Sequence, residues 1–179
     1  MSQLKEIKAH THIGGGSHLP LLIKLLEITE GPVLELGMGL FSTPFLHWAC
    51  FEKKRRLLSC ETKSRFNTFW IFDDKREKGN DYSYHSFQFI EDWNDLDLSE
   101  HWSVVLVDHA PGPRRKEEIR RLANNADYIV VHDTNGRNDW HYKYTEVYPL
   151  FKYRYDSKFY PQTTILSNLK DLSKLNFTL

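Results

Sequence analysis

The clearest structural signal in the chain is Val33-Leu34-Glu35-Leu36-Gly37-Met38-Gly39-Leu40-Phe41-Ser42. Its first four residues are mostly apolar and end at Gly37, which predicts a short strand covered on both faces. Gly37 permits a tight turn, and Gly39 lets the backbone approach a ligand because no Cβ intervenes. Two glycines between a strand and a helix are also compatible with a tight turn that binds nothing.

Further strands are expected on both sides of this stretch. Short apolar or alternating runs bounded by turn residues are typical of strands, and continuous apolar runs favour a parallel sheet. The expected strands besides 33–36 are 57–60, 83–90, 104–107, 128–131, 151–156 and 162–167.

Helical patterns fall between the strands. Ser17 is expected to cap a helix that buries Leu21, Leu22, Leu25 and Leu26, and Thr43-Pro44 to open a helix that runs to Cys50. Another helix is predicted around Phe66, Phe69, Trp70 and Asp73 and closed by Gly79, and one over 116–125 with Ile119, Leu122, Ala123 and Ala126 on its buried stripe.

This alternation predicts a single α/β domain over residues 1–179, built on a mostly parallel sheet with helices on both faces. Residues 1–16 are expected to form a mobile N-terminal segment. The net charge is zero, so composition favours no nucleic acid and no membrane partner. Two cysteines and a charged start without an apolar signal run favour the cytoplasm.

Acidic residues follow the ends of five expected strands: Glu35, Glu61, Asp92, Asp108 and Asp133. Ligands of open α/β sheets bind beyond the carboxyl ends of the strands. A carboxylate at Glu35 suits a cationic ligand and repels a pyrophosphate. Glu61 can accept both hydroxyls of a ribose, or it can cap the next helix.

Together these residues resemble the ordered motifs of the class I S-adenosylmethionine-dependent methyltransferases, over roughly residues 17–168. The resemblance implies a Rossmann-like three-layer sandwich, with a seven-stranded sheet that ends in an antiparallel hairpin. It also implies S-adenosylmethionine as the cofactor. The methionine part would lie at Glu35, Gly37, Gly39, Ser42 and Thr43, the ribose at Glu61, the adenine at Asp92 and Trp93, and the methyl group at Asp108.

The candidate catalytic residues are Asp108, His109 and Asp133. Two prolines and a glycine make the loop after Asp108 stiff, which favours His109 over His132 and His18 as a base. A lone loop histidine is, however, more often a partner in a turn hydrogen bond. The neighbouring Arg115 is interpreted as part of a solvated helix.

Asp133 and Asn135, with Asp108, are similar to the metal site of catechol-type O-methyltransferases, which would bind Mg²⁺. Asp-Thr-Asn-Gly is also good turn chemistry, and we favour the turn, so no metal ligand is predicted.

The sequence therefore predicts a methyltransferase that acts on an oxygen of a small-molecule or glycan acceptor, with nitrogen as the less favoured acceptor atom. Two alternatives stay open. One is a nicotinamide-dependent oxidoreductase, which Ser42 at the third glycine position and Glu35 disfavour. The other is a non-catalytic binding module on the same fold.

Overall fold

One seven-stranded sheet forms the centre of the computed structural model, which describes residues 13–62 and 84–175. The strands lie in the order β3-β2-β1-β4-β5-β7-β6, and β7 is antiparallel to both of its neighbours, whereas all other pairs are parallel. The strands are β1 Val33–Leu36, β2 Leu57–Thr62, β3 His85–Ile90, β4 Trp102–Val107, β5 Ala126–Val131, β6 Tyr153–Asp156 and β7 Thr164–Ser167.

Helices cover both faces of the sheet. Alternate side chains of β1, β4 and β5 point to opposite faces, so each strand contributes to two cores. The helices are α1 Leu19–Ile28, α2 Ser42–Glu52, α3 Arg115–Leu122 and α4 Asp139–Tyr142. Residues of α1 and α2 pack with Val33, Leu106 and Val130, and residues of α3 pack with Val105, Val107 and Val131. The predicted Rossmann-like three-layer architecture with its closing antiparallel hairpin is confirmed.

The strand order reverses between β1 and β4. From β1 the chain moves outward through β2 to β3, and it then returns to pair β4 on the other side of β1. Such a reversal opens a crevice at the carboxyl ends of the two central strands. The glycine turn after β1 and the loop after β4 both lie at this crevice.

Several predicted helix boundaries are wrong for local reasons. α1 begins after His18, and the Ser17 hydroxyl donates to the Pro161 carbonyl instead of capping the helix. α2 begins at Ser42, so Thr43 lies inside its first turn. α3 ends at Leu122, and Ala126 begins β5 instead of extending the helix stripe.

Part of the sequence prediction lies outside the described residues. This holds for the helix around Phe66, Phe69, Trp70 and Asp73 with Gly79, for residue 83 of the third strand and for residues 1–12. Within the expected N-terminal segment, Ile13–Gly16 forms a 3-10 turn that packs on Phe41. None of the described helices has the length and apolar character to cross a bilayer.

Candidate active site

The glycine turn after β1 holds the two central strands close together. Gly37 has φ +96°, and a Cβ there would lie 2.4 Å from the Cα of His109 and 2.5 Å from its backbone nitrogen. At Gly39 an added Cβ would meet only the Oγ of Ser42, at 3.2 Å. Gly37 is therefore required by packing. Gly39 leaves space beside the turn, but its amide donates to Thr43 Oγ1 and its carbonyl accepts from the Thr43 amide.

Glu35 points beneath the turn toward α2. Its Oε1 accepts from the Thr43 hydroxyl at 2.9 Å and its Oε2 from the Ser59 hydroxyl at 2.5 Å. The parallel register of β1 and β2 places Ser59 directly beside Glu35. Thr43 Oγ1 in turn accepts from the Gly39 amide at 2.9 Å. This network fixes the turn from below.

The predicted contacts of Glu35, Ser42 and Thr43 with a cofactor are not supported by this arrangement. All three side chains are buried, with exposed fractions of 0%, 2% and 0%. Burial raises the pKa of Glu35 to about 7, although the hydroxyls of Ser42, Ser59 and Thr43 favour the carboxylate. Their role is to shape the turn, because a partly protonated, enclosed carboxyl group is no counter-ion for a bound cation.

The buried carboxyl group makes stability depend on pH. The folded pKa of about 7 lies above the ordinary 4.5, so the folded chain retains a proton that the unfolded chain loses in that window. Stability therefore falls as the pH rises from 4.5 through 7, by about 3 kcal/mol. Glu35→Gln removes this titration. The free energy of unfolding, measured with urea, should therefore fall by about 3 kcal/mol more in wild type than in Glu35→Gln between about pH 4 and pH 8. The exposed Glu100→Gln serves as the control, and a pH-independent difference for Glu35→Gln contradicts the assignment.

Glu61 and Asp92 lie at the ends of the next two strands. The Glu61 side chain is 0% exposed, and its carboxylate accepts from the backbone amide of Thr62 at 2.7 Å, which holds it at the end of β2. Asp92 is exposed, and its Oδ1 accepts from the Asn94 amide at 2.8 Å. Their assignment to ribose and adenine stays a prediction.

Trp93 does not lie in an open position. Its side chain is 3% exposed and its Nε1 donates to the Ala110 carbonyl at 2.8 Å. Its ring contacts the His109 ring at a tilt of 31°, with ring centroids 4.0 Å apart. An adenine ring would have to displace this core packing, so the predicted contact of Trp93 with adenine is not supported.

His109 is likewise buried, and the prediction that it is the base is wrong in this structure. Its side chain is 0% exposed and its Nε2 lies 3.1 Å from the Glu118 carboxylate on α3. Side chains alternate along a strand, so His109 continues the face of Val105 and Val107. This face is directed toward α3 and away from the crevice. It connects the β4 loop to α3.

Asp108 points to the opposite side and is partly exposed. Its Oδ1 lies 2.9 Å from Nη2 of Arg115 and 3.3 Å from Nδ1 of His132. Burial opposes ionisation, but the hydrogen bond of His132 and the charge of Arg115 outweigh it and lower the pKa of Asp108. Asp108 is therefore an anion at the mouth of the crevice.

Arg115 joins the two predicted catalytic aspartates. Its Nη1 lies 3.4 Å from Oδ2 of Asp133, which also accepts from the Tyr142 hydroxyl at 3.0 Å. The guanidinium thus occupies the space between the carboxylates of Asp108 and Asp133. The prediction that Arg115 is a solvated helix residue is wrong, because the first turn of α3 packs on the strand ends.

The same arrangement disfavours the Mg²⁺ site that the sequence suggested as an alternative to a turn. Asn135 Oδ1 accepts from the Gln162 amide at 3.0 Å, which is a turn contact. With Arg115 between the aspartates, Asp108, Asp133 and Asn135 do not form an all-oxygen site.

Two histidines complete the cluster around Asp108. His132 directly follows β5 and has the parity of Val130, and His18 precedes α1 on the same face of the sheet. Their rings meet edge to face, with centroids 4.9 Å apart. Burial lowers the pKa of His18 to about 4, so it is neutral. Burial also disfavours a charged His132, but Asp108 and Asp133 outweigh it and raise the pKa of His132.

Ser17, His132 and Asp108 are connected in the order of a serine-hydrolase triad, yet the hydrogen positions do not fit one. Ser17 Oγ lies 2.9 Å from Nε2 of His132 and 2.7 Å from the Pro161 carbonyl. A carbonyl only accepts, so the single hydroxyl hydrogen goes to Pro161. His132 therefore donates to Ser17 and cannot activate it as a base.

Comparisons with known proteins identify the fold. No protein-family model and no curated protein matches the sequence. Among solved structures, a human methyltransferase 10 domain containing protein matches with TM-score 0.55 and 7% identity, over 87% of this chain and 83% of that chain. A chain of the Pnkp1/Rnl/Hen1 complex matches with TM-score 0.52 and 11% identity, over 84% of this chain but only 41% of that chain.

A further match is with a protein that is named for a tRNA substrate. Sp1610 of Streptococcus pneumoniae, a putative tRNA (m1A22) methyltransferase, matches with TM-score 0.48 and 12% identity, over 86% of this chain and 72% of that chain. The expectation of no nucleic-acid partner was wrong as an inference from net charge. Net charge sums the whole surface, whereas a nucleic acid contacts one face, so a sum of zero excludes nothing.

Proposed function

Because the chain shares the fold of class I S-adenosylmethionine-dependent methyltransferases, we propose that it binds S-adenosylmethionine and methylates an oxygen of an acceptor. The observation that carries the proposal is the ionised, partly exposed Asp108, placed beside the open Gly39 turn where the strand order reverses. In such sheets this crevice is the ligand site.

The groups at the crevice suit a cationic nucleoside. Gly39 leaves space beside the turn because it has no Cβ, and Glu61 and Asp92 follow at the next two strand ends. Carboxylates accept hydrogen bonds from ribose hydroxyls and from an exocyclic amine, and they favour a positive ligand. Glu61 would hold the ribose, Asp92 the adenine, and Asp108 would face the reacting centre.

S-adenosylmethionine supplies an electrophilic methyl group on a sulfonium centre. The chain contributes orientation, which is the largest factor in an in-line displacement. The Asp108 carboxylate accepts a hydrogen bond from the acceptor hydroxyl and directs its oxygen toward the methyl group. Arg115 and His132 hold that carboxylate in place, since both contact its Oδ1.

The acceptor chemistry is a hydroxyl group. Small molecules, glycans and the ribose of RNA all carry hydroxyl groups, so all three classes belong in an acceptor screen. The screen is read as conversion of S-adenosylmethionine to S-adenosylhomocysteine, with each acceptor class supplied separately.

Binding is tested by melting temperature with S-adenosylhomocysteine. A ligand at 100 times its Kd stabilises the native state by about 2.7 kcal/mol, which is roughly 5–10 °C for a chain of this size. Asp92→Ala should weaken binding at least about tenfold. Asp171→Ala is the matched control, because Asp171 caps a 3-10 turn through the same contact, to the Ser173 amide at 3.0 Å.

The outcomes separate the alternatives. No shift at about 1 mM S-adenosylhomocysteine contradicts cofactor binding, and an equal loss in both variants contradicts the adenine role of Asp92. A shift with NADH but not with S-adenosylhomocysteine would instead favour the nicotinamide-dependent oxidoreductase.

A further inference from the structure

His18 is an unexplained polar side chain in the buried face of the site. It is 1% exposed, and neither of its ring nitrogens has a hydrogen-bond partner in the part of the chain that the structure describes. Leaving a buried polar group unpaired destabilises the folded chain, because the group loses its hydrogen bonds to water. Its ring borders His132, so the unpaired nitrogens lie beside the carboxylate cluster.

The second observation is which ring nitrogen of His132 carries a hydrogen. Its Nε2–H is donated to Ser17, because the Ser17 hydroxyl hydrogen is used by the Pro161 carbonyl. Nδ1 therefore faces Oδ1 of Asp108 at 3.3 Å and Oδ2 of Asp133 at 3.7 Å. In a neutral ring the lone pair of Nδ1 would face two carboxylates, which repel it. A cation is therefore expected at Nδ1, either a proton or a metal ion.

We propose that His18, His132 and Asp108 bind a divalent transition-metal ion. One ligand atom from each residue lies within 4.8 Å of the other two. Ligands about 2.1 Å from one ion are roughly 3.4 Å apart in a tetrahedral site, so small side-chain rotations close the set. The ion gives one ring nitrogen of His18 a partner that residues 13–62 and 84–175 do not supply, and at His132 it replaces a proton.

The ligand types select the class of metal. Two imidazoles and one carboxylate favour Mn²⁺, Fe²⁺, Co²⁺ or Zn²⁺ over Mg²⁺, which prefers oxygen ligands. Three protein ligands also leave coordination positions open for a substrate.

Neighbouring side chains already orient two of the ligands. Ser17 holds His132 through Nε2, and Arg115 holds Asp108. Such partners of the ligands tune affinity. The two aspartates exceed the charge of Arg115 by one negative charge, which favours binding of a cation.

The use of the metal rests on the proposed function. An ion with open positions binds the acceptor hydroxyl oxygen, lowers its pKa and fixes it in line with the methyl group. Occupancy of the site does not require methyl transfer and can be measured alone.

Titration of the metal-free protein with Co²⁺, followed by its visible absorption bands and by calorimetry, tests the site. We expect one Co²⁺ per chain and a loss of affinity of at least about 100-fold in His18→Gln. His101→Gln is the matched control, since His101 also lies near a carboxylate, at 3.3 Å from Asp127, but away from the cluster. Circular dichroism of each variant precedes the titration.

If His18→Gln does not fold, Ser17→Ala provides the second variant. It removes the hydroxyl that orients His132 and bonds to the Pro161 carbonyl but leaves all three ligands, and it should weaken Co²⁺ binding about tenfold. Absence of Co²⁺ binding at about 1 mM, or equal affinity in His18→Gln and His101→Gln, overturns the metal site. The S-adenosylhomocysteine melting shift of the metal-free protein then still reports on the cofactor proposal by itself.

Discussion

Replacing Gly37 by alanine is expected to destabilise the chain by about 4 kcal/mol, which corresponds to a fall in melting temperature of roughly 8–16 °C. The new Cβ would lie 2.4–2.6 Å from backbone atoms of Asp108 and His109, which belong to the neighbouring strand end and cannot rotate away. The φ of +96° adds strain for any residue with a Cβ. Thermal and urea unfolding give the measurement.

Gly136→Ala is the matched control for this effect. Gly136 also lies at the carboxyl end of the sheet, but an added Cβ there meets no atom within 4 Å. We expect a change of no more than about 0.5 kcal/mol. If both alanine variants unfold at the same temperature, the close approach of β1 to β4 at the glycine turn is wrong.

Asp108→Asn is expected to reduce kcat/KM for methyl transfer by at least about 100-fold. The substitution keeps the shape of the side chain but removes the charge that binds Arg115 and His132 and orients the acceptor. Loss of one orienting or acid–base group commonly costs 10²–10⁴-fold. The assay uses the acceptor identified in the hydroxyl screen.

Asp127→Asn separates this effect from general damage. Asp127 lies at the amino end of β5. Like Asp108, its carboxylate contacts a histidine and a cation, His101 at 3.3 Å and Lys170 at 3.5 Å. The kcat/KM of Asp127→Asn should stay within about twofold of wild type. If Asp108→Asn and wild type react at equal rates, Asp108 has no part in the reaction. If wild type shows no turnover with any acceptor class, the result favours a non-catalytic module.

The sheet could be predicted from the sequence because its central strands are apolar runs that end at glycine or an acidic residue. The run at 33–36 matches β1 Val33–Leu36, since all four residues are buried. The prediction for β4 started too late, at residue 104, because Ser103 interrupts the apolar pattern even though it is buried. Hydrophobicity identifies strands covered on both faces but not their polar first residues.

The directions of the site residues were harder to predict, although part of the signal was available. Alternation along β4 places His109 with Val107 and Asp108 with Leu106, so the two neighbours point to opposite faces. Extending the strand parity by two residues would have identified His109 as buried. The same rule places His132 with Val130, on the face of Asp108.

The remaining contacts depend on tertiary structure. Ser17 reaches Pro161 and His132, 144 and 115 residues away. Arg115 fills the space between Asp108 and Asp133 only because α3 starts at the strand ends. No local pattern contains this information, so the cluster could be seen only in the folded chain.

A crystal structure grown with S-adenosylhomocysteine tests the central claim most directly. We predict one molecule in the crevice, packed against the Gly39 turn, with its ribose hydroxyls on Glu61 and its sulfur facing Asp108. Density for the nucleoside at another surface, or a crevice that stays empty at saturating ligand, would contradict it.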